Sequence, residues 1–175
     1  MSMDGIGRVV YTSEQIKQRV AEVAAKINQD YAGEELVVIC VLKGSFYFAA
    51  QLTQGLDLSV IIDFLSIGVQ HEGKSDMVRF TRDLNITLTG RHVLLVEDII
   101  GTGFTLGYIC QHLETFQPAS LKICTLLDKP ADRLLPINIA YSCFVMSDIF
   151  VVGYGLDYKQ RFRNLPYIAE YNRPK

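Results

Sequence analysis

The sequence lacks a large net charge, closely spaced cysteines and long apolar runs. With 17 basic and 19 acidic residues among 175, its formal net charge is −2, so no basic field favours a nucleic-acid partner. The four cysteines lie far apart without a CxxC pair, which disfavours a disulfide or zinc framework. No apolar run approaches the length of a membrane span, and the first residues lack the apolar segment of a signal peptide. We expect a cytoplasmic single domain, residues 1–175, that binds neither nucleic acid nor membrane.

Two common nucleotide-binding motifs are also missing. The pattern G-x-x-x-x-G-K-[ST] occurs nowhere, which excludes an NTPase phosphate loop. Gly101 and Gly103, followed by Gly107, match the dinucleotide fingerprint poorly, because the third glycine is one place late. Any nucleotide site must therefore be of another kind.

The most informative stretch runs from His92 to Thr105 and reads HVLLVEDIIGTGFT. Its apolar start predicts a buried strand that ends in Glu97-Asp98, and a glycine turn and a helix-like segment follow. Backbone N–H groups and the dipole at such a helix start favour a phosphate, whereas the two carboxylates suit sugar hydroxyls or a metal. The combination indicates a phosphorylated ribose. The alternative is an ordinary strand, turn and helix with solvated carboxylates.

Other apolar segments predict further strands with polar residues at their ends. Leu36 to Leu42 is continuously apolar, as a strand covered on both faces should be, and it ends at Lys43-Gly44. Leu58 to Leu65 predicts another strand, and Ala119 to Leu127 predicts one that ends at Asp128-Lys129. Shorter strands are expected from Ile137 to Val145 and from Phe150 to Gly153.

The remaining segments predict helices and one polar loop. Thr12 to Gln15 resembles a capping box that opens a first helix, and a second helix-like stretch runs from Phe46 to about Gln54. Residues 66–76 have the composition of a mobile lid or of a plain hairpin connection. Alternating strands and helices predict an α/β fold with a doubly wound, mostly parallel sheet. In such a sheet Lys43-Gly44, Glu97-Asp98 and Asp128-Lys129 would converge at one edge, where ligands bind.

Five segments resemble a known family. VLLVEDIIGTGFT resembles the phosphoribosyl-pyrophosphate (PRPP) motif of the type I phosphoribosyltransferases, and VLKGS, TLLDKP, FVVGYGLDY and RFRNLPYI resemble segments of the hypoxanthine-guanine branch, in the same order. The resemblance extends from about Val37 to Ile168. It implies the type I fold, with a lid at about 66–80 and a small hood formed by the N-terminal segment and residues of about 145–175. It also implies purine salvage, in which 5-phosphoribose passes from PRPP to hypoxanthine or guanine, giving IMP or GMP and pyrophosphate. A homodimer or homotetramer and a Mg²⁺ cofactor are implied as well.

The resemblance assigns roles to individual residues. Glu97 and Asp98 would hold the ribose hydroxyls and favour an oxocarbenium-like transition state, and Lys129 would donate to the purine O6. These three are the candidate catalytic residues, and Glu97, Asp98 and Asp157 are the candidate metal ligands, because a pyrophosphate leaving group needs its charge neutralised. The candidate substrate-binding residues are Lys43, Gly44, Glu97, Asp98, Ile99, Ile100, Gly101, Thr102, Gly103, Phe104, Thr105, Lys129, Phe150, Val151, Asp157 and Arg163.

Within that set, each segment is expected to meet a different part of the substrates. Residues 102–105 would wrap the 5′-phosphate, and Lys43-Gly44 would form a pyrophosphate loop, where the family often has a non-proline cis peptide. Phe150 would stack on the base, the backbone of Val151 would read its edge, and Arg163 would contact pyrophosphate.

The sequence departs from the family pattern at two places. Gly101 stands where the family has an aspartate, the proposed general base for the purine N7, and loss of such a base typically slows a reaction about 10²–10⁴-fold. A water or a neighbouring carboxylate could recover part of that loss. The lid segment, Phe64 to Phe80, also lacks the family's Ser-Tyr pair, with Val69-Gln70 near the expected position. These departures leave open an alternative, a regulatory homologue that binds nucleotide or PRPP with little turnover.

Overall fold

The computed structural model describes residues 5–72 and 75–173, with the backbone alone described for residues 69–72 and 75–78. In chain order the elements are β1 (Ile6–Tyr11), α1 (Ser13–Asp30), β2 (Glu35–Leu42), α2 (Phe46–Gln54), β3 (Ser59–Glu72), β4 (Ser75–Arg82), β5 (His92–Ile100), α3 (Phe104–Glu114), β6 (Ser120–Asp128), a 3₁₀ turn (Pro130–Asp132), β7 (Tyr141–Val145), β8 (Val151–Val152) and β9 (Ile168–Tyr171).

Helix α1 begins where the sequence predicts. The Thr12 hydroxyl accepts from the Gln15 N–H, and the Gln15 side chain accepts from the Thr12 N–H at 2.8 Å, which completes the capping box. Apolar residues at helical spacing bury one face of the helix, among them Ile16, Val20 and Ile27.

The main sheet has six strands in the order β4-β3-β2-β5-β6-β7. Strands β3, β2, β5, β6 and β7 pair in parallel, and β4 pairs with β3 antiparallel at the edge. Both faces are covered, because Leu36, Val38 and Cys40 pack in a cluster with residues of α1 and α2, and the alternate residues Val37 and Ile39 pack with residues of α3. The predicted doubly wound, mostly parallel α/β sheet is confirmed.

Strands β2, β5 and β6 are neighbours in the centre of this sheet. Because they are parallel, their carboxyl ends lie at one edge, and that edge carries Lys43, the Glu97-Asp98 pair and Lys129. The convergence predicted from the sequence is therefore present.

A second, three-stranded sheet joins the two ends of the chain in the order β1-β9-β8. Both pairings are antiparallel, and the sheet forms the small hood of the predicted fold. The sequence predicted β8, one residue longer at each end, but not β1 or β9. Their pairing has register shifts between Ile6 and Val9 and between Val9 and Tyr11, and such irregularities remove the alternating pattern by which a strand is recognised.

Two predicted boundaries are wrong. Strand β7 begins at Tyr141 instead of residue 137, because Ile137 packs toward Gly103 and Gly107 at the start of α3. Strand β3 continues to Glu72 instead of ending at Leu65. Residues 66–76, predicted as a mobile lid or a plain hairpin connection, belong mainly to the β3–β4 pair, which favours the hairpin. Residues 73 and 74 of the predicted lid lie outside the described residues, and so do the side chains of Val69 and Gln70.

Cys40, Cys110, Cys124 and Cys143 are free thiols. Within the described ranges, no helix is long and apolar enough to span a membrane.

Candidate active site

The turn after β5 forms the floor of the site. Gly103 has φ +90, a left-handed conformation that favours glycine, and it precedes the first turn of α3. The Thr102 carbonyl accepts from the N–H groups of Leu134 and Leu135, both at 3.0 Å, so the segment after β6 fixes the turn. A cavity of about 180 Å³ opens here, and it is lined by Glu97, Ile99, Ile100, Gly101, Thr102, Gly103, Thr105 and Leu106. The amides of a helix's first turn lack intrahelical acceptors, so this cavity suits a phosphate.

The carboxylate pair lies beside that cavity. Burial raises the pKa of Glu97 well above its usual value, and the neighbouring Asp98 charge raises it further. Asp98 Oδ1 accepts from the Ile99 N–H at 2.8 Å, which fixes this carboxylate. The two acids thus form a compact, negatively charged group at the end of β5.

Gly44 packs directly against this pair. A Cβ at Gly44 would overlap the Asp98 carboxylate, so any side chain here would displace one of the two segments. On the other side, Gly155 lies against the Gly44 carbonyl and has φ +102. The Leu42-Lys43 peptide bond is cis, as the resemblance implies. The stack of Asp98, Gly44 and Gly155 connects β5, the end of β2 and the turn after β8.

Beyond Gly155 lies a polar cluster that contains three of the predicted site residues. Arg163 Nη1 donates to the Gly155 carbonyl at 2.6 Å, and Arg163 Nη2 lies 2.7 Å from Asp157 Oδ1. Gln160 connects the cluster, because its N–H donates to Asp157 Oδ2 at 2.7 Å and its Oε1 accepts from Lys43 Nζ at 3.4 Å. The sequence did not indicate Gln160, whose positive φ of 63 and turn position leave no periodic signal.

Lys129 lies at the end of β6 between two acids that the sequence did not indicate. Its Nζ lies 2.8 Å from Asp132 Oδ2 and 2.9 Å from Asp148 Oδ1, and its side chain is 12% exposed. Burial lowers the pKa of Lys129, but the hydrogen bonds to the two carboxylates more than offset it and hold the pKa above its usual value. An ammonium has three N–H donors, so two ion pairs leave one for a ligand.

Phe150 and Val151 lie where β8 meets β9. The Arg173 guanidinium lies 3.7 Å from the Phe150 ring centroid, a cation–π contact that covers one ring face. Val151 is buried and pairs with Glu170. The purine-binding role that the resemblance assigns to these residues together with Lys129 stays a prediction.

The Glu97–Asp98 pair fits a magnesium ion better than Asp157 does. Mg²⁺ usually takes one or two carboxylates together with substrate phosphates and waters. A divalent cation would offset the two effects that raise the pKa of Glu97, which are burial and, after it, repulsion by Asp98. Asp157 already uses its two oxygens for Arg163 and Gln160. Across residues 5–72 and 75–173, no cluster of three acidic, histidine or cysteine side chains could hold a metal by itself, so substrate oxygens would have to complete the coordination.

The fold is that of the phosphoribosyltransferase class, and a family model described as a phosphoribosyl transferase domain matches residues 9–159. The chain is 40% identical over 171 residues to a hypoxanthine-guanine phosphoribosyltransferase of Streptococcus pneumoniae, covering 97% of this chain and 95% of that protein. It is 42% identical to a hypoxanthine phosphoribosyltransferase of Haemophilus influenzae, covering 93% of each. The structure of hypoxanthine phosphoribosyltransferase from Trypanosoma cruzi, in complex with the product IMP, superposes with a TM-score of 0.89 at 37% identity, covering 99% of this chain and 98% of that one. The chain therefore belongs to the hypoxanthine-guanine phosphoribosyltransferase family.

Proposed function

We propose that this protein is a purine-salvage transferase that moves 5-phosphoribose from PRPP to N9 of hypoxanthine or guanine, giving IMP or GMP and pyrophosphate. The observation that carries the proposal is the convergence of a phosphate turn, a carboxylate pair and Lys129 on three neighbouring strand ends. The names of the relatives point to the same reaction. A regulatory protein with little turnover is not favoured, because these relatives are named as transferases.

The ribose phosphate lies over β5 and the start of α3. Residues 102–105 bind the 5′-phosphate through backbone N–H groups and hydroxyls, in the cavity of about 180 Å³. Glu97 and Asp98 accept hydrogen bonds from the ribose hydroxyls. Their negative charge favours the positive charge that develops on the ribose as its bond to pyrophosphate breaks.

The pyrophosphate lies over the cis peptide and the polar cluster. Lys43, held near Gln160, and Arg163, held by Asp157, supply positive charge on this side of the Asp98–Gly44–Gly155 stack. Glu97 and Asp98 would hold Mg²⁺ from the protein side, with Asp157 as a further candidate. When bound, the metal would neutralise charge on the leaving pyrophosphate.

The purine lies between β6 and the hood. The free donor of Lys129 binds the base O6, which selects a 6-oxo over a 6-amino group. Phe150 stacks on the base through the ring face opposite Arg173, and the backbone of Val151 reads the edge of the base.

Three wider features rest on family membership. We propose that the chain acts as a single domain, residues 1–175, whose β3–β4 segment at about 66–80 closes over the substrates. It assembles as a homodimer or homotetramer and works in the cytoplasm.

The test is a steady-state assay with PRPP, Mg²⁺ and hypoxanthine or guanine, in which nucleotide formation is followed. Turnover of about 1 s⁻¹ or faster, ordinary for enzymes, is expected for at least one base. Adenine is the matched control, because its 6-amino group cannot accept from Lys129. No turnover with any 6-oxopurine, combined with tight nucleotide binding by calorimetry, would refute the transferase and favour a regulatory protein.

A further inference from the structure

Gly101 leaves a space in the active site that is bordered by an unexpected carboxylate. Gly101 lines the cavity after β5, and its φ is outside the left-handed region. Among the described residues, and apart from its chain neighbours, a single atom would come within 4 Å of a Cβ built here. That atom is Asp132 Oδ2, at 3.9 Å. The Asp132 carboxylate therefore stands beside the volume that a longer side chain at position 101 would enter.

Asp132 is held in this place by its own segment. It ends the 3₁₀ turn Pro130–Asp132, and its N–H donates to the Lys129 carbonyl at 3.1 Å. The next residue, Arg133, donates from Nη1 to the Gly101 carbonyl at 2.9 Å and pairs through Nη2 with Asp128. The 3₁₀ turn and the Gly101 turn are thereby tied together, which fixes the Asp132 carboxylate relative to the cavity.

The contact with Lys129 places Asp132 relative to the purine. Asp132 Oδ2 lies 2.8 Å from Lys129 Nζ. If Lys129 donates to O6, a carboxylate one hydrogen bond away lies near N7, because O6 and N7 are adjacent on the same edge of a 6-oxopurine. This step rests on the function proposed above.

We propose that Asp132 is the general base that removes the N7 proton of the purine. As N9 of the 7-H tautomer forms its bond to C1′ of the ribose, the bond from C1′ to the pyrophosphate oxygen breaks, and pyrophosphate leaves with the electron pair. The N7 proton passes to a carboxylate oxygen of Asp132, and the nucleotide is released with a neutral base. Asp132 is 30% exposed, so it returns the proton to solvent. The 3₁₀ turn after β6 thus supplies the carboxylate that the turn after β5 lacks at Gly101.

The competing interpretation is that Asp132 only positions Lys129. Asp148 provides the matched control, because its Oδ1 lies 2.9 Å from the same Nζ but its side chain is 80% exposed. Asp148→Asn removes one carboxylate partner of Lys129 and leaves the space beside Gly101 unchanged. Asp132→Asn removes a partner and the proton acceptor together.

The experiment compares single-turnover rates and base KM values for the wild type, Asp132→Asn, Asp148→Asn and the double variant Gly101→Asp/Asp132→Asn. Asp132→Asn is expected to slow the chemical step about 10²-fold, the usual effect of losing a positioned base, with the PRPP KM within about threefold. Asp148→Asn should slow it by no more than about threefold. The double variant should regain at least tenfold over Asp132→Asn, because position 101 has room for a carboxylate, and thermal unfolding checks that each variant is folded.

The measured rates and KM values distinguish a general base at Asp132 from a residue that only positions Lys129. Equal losses in Asp132→Asn and Asp148→Asn, expressed mainly in the base KM, would mean that Asp132 positions Lys129 and is not the base. An Asp132→Asn rate within threefold of the wild type, or no recovery in the double variant, would also overturn the assignment while the transferase stands. A wild type without turnover would overturn the proposed function and, with it, this inference.

Discussion

Gly44 lies so close to Asp98 that a methyl group at position 44 has no room. A Cβ there would overlap the Asp98 carboxylate, and neither partner can move freely. Asp98 is held by the Ile99 N–H at 2.8 Å, and Gly155 lies directly against the Gly44 carbonyl on the other side. Gly44→Ala must therefore displace the proposed ribose carboxylate or the proposed pyrophosphate loop.

The expected loss in kcat/KM follows from the displacement of these groups. A shift of about 1 Å in a positioning group can reduce catalysis about 10²-fold, which corresponds to about 2.7 kcal/mol of transition-state stabilisation. We expect Gly44→Ala to lower kcat/KM for PRPP about 10²-fold. The KM for hypoxanthine should change less than about threefold, because Lys129 belongs to a different strand end.

The assay is steady-state nucleotide formation with PRPP varied at saturating base, alongside thermal unfolding. Gly33→Ala is the matched control. Gly33 has a positive φ, of 83, which Gly44 does not have, but no atom of the described residues beyond its chain neighbours lies within 4 Å of its Cβ position. The Gly33→Ala variant should lose about 1 kcal/mol of folding stability from backbone strain and keep the kcat/KM of the wild type. A kcat/KM for Gly44→Ala within twofold of the wild type would refute the reasoning.

Three further predictions test separate parts of the molecule. Lys129→Ala removes a charged hydrogen bond worth about 1.5–3 kcal/mol, so it should raise the base KM about 10–150-fold and the PRPP KM far less; equal losses would contradict the assignment to O6. Because burial raises the folded-state pKa of Glu97, the stability linked to its protonation is present below its unfolded pKa and is lost as pH rises. Without PRPP or Mg²⁺, Glu97→Gln should therefore raise the Tm by about 2–4 °C at pH 8, which corresponds to about 1 kcal/mol in a chain of this size. Near pH 4 the substitution should leave the Tm unchanged. A Tm difference that stays constant between pH 4 and pH 8 would contradict burial as the cause of the raised Glu97 pKa. Thr12→Ala removes the cap of α1 and should lower the Tm by about 2–4 °C, from about 1 kcal/mol, with kcat unchanged; a changed kcat would mean that the hood and the site are coupled.

The sequence predicted those elements whose determining residues are close together in the chain. Continuous apolar runs identified β2, β5 and β6, because a strand covered on both faces needs apolar residues at every position. The capping box located the start of α1 because the two hydrogen bonds span three residues. The motif around Glu97 and Gly103 predicted a phosphoribose site, and the family membership is confirmed.

The sequence did not predict those elements that form through contacts between segments far apart in the chain. Strands β1 and β9 form because Ile6 meets Tyr171 across the whole chain, and neither segment has a clear period of its own. Ile137 has the β-branched character of a strand residue, but it packs against the start of α3. Residues 66–76 were predicted as a mobile lid or a plain hairpin connection from their polar composition, and only the backbone pairing of β3 with β4 distinguishes the edge hairpin.

The sequence by itself predicted the class of fold, the three strand ends and a phosphorylated-ribose ligand, because each prediction depends on residues that are neighbours in the chain. Only the tertiary structure placed Asp132 beside Gly101 and Asp148 beside Lys129, and only it showed that Gly44 is held between Asp98 and Gly155. These contacts join residues from separate turns, whose mutual positions are set by the parallel pairing of β2, β5 and β6. A side chain's neighbours across such an edge are a property of the packed sheet, and no local pattern of residues encodes them.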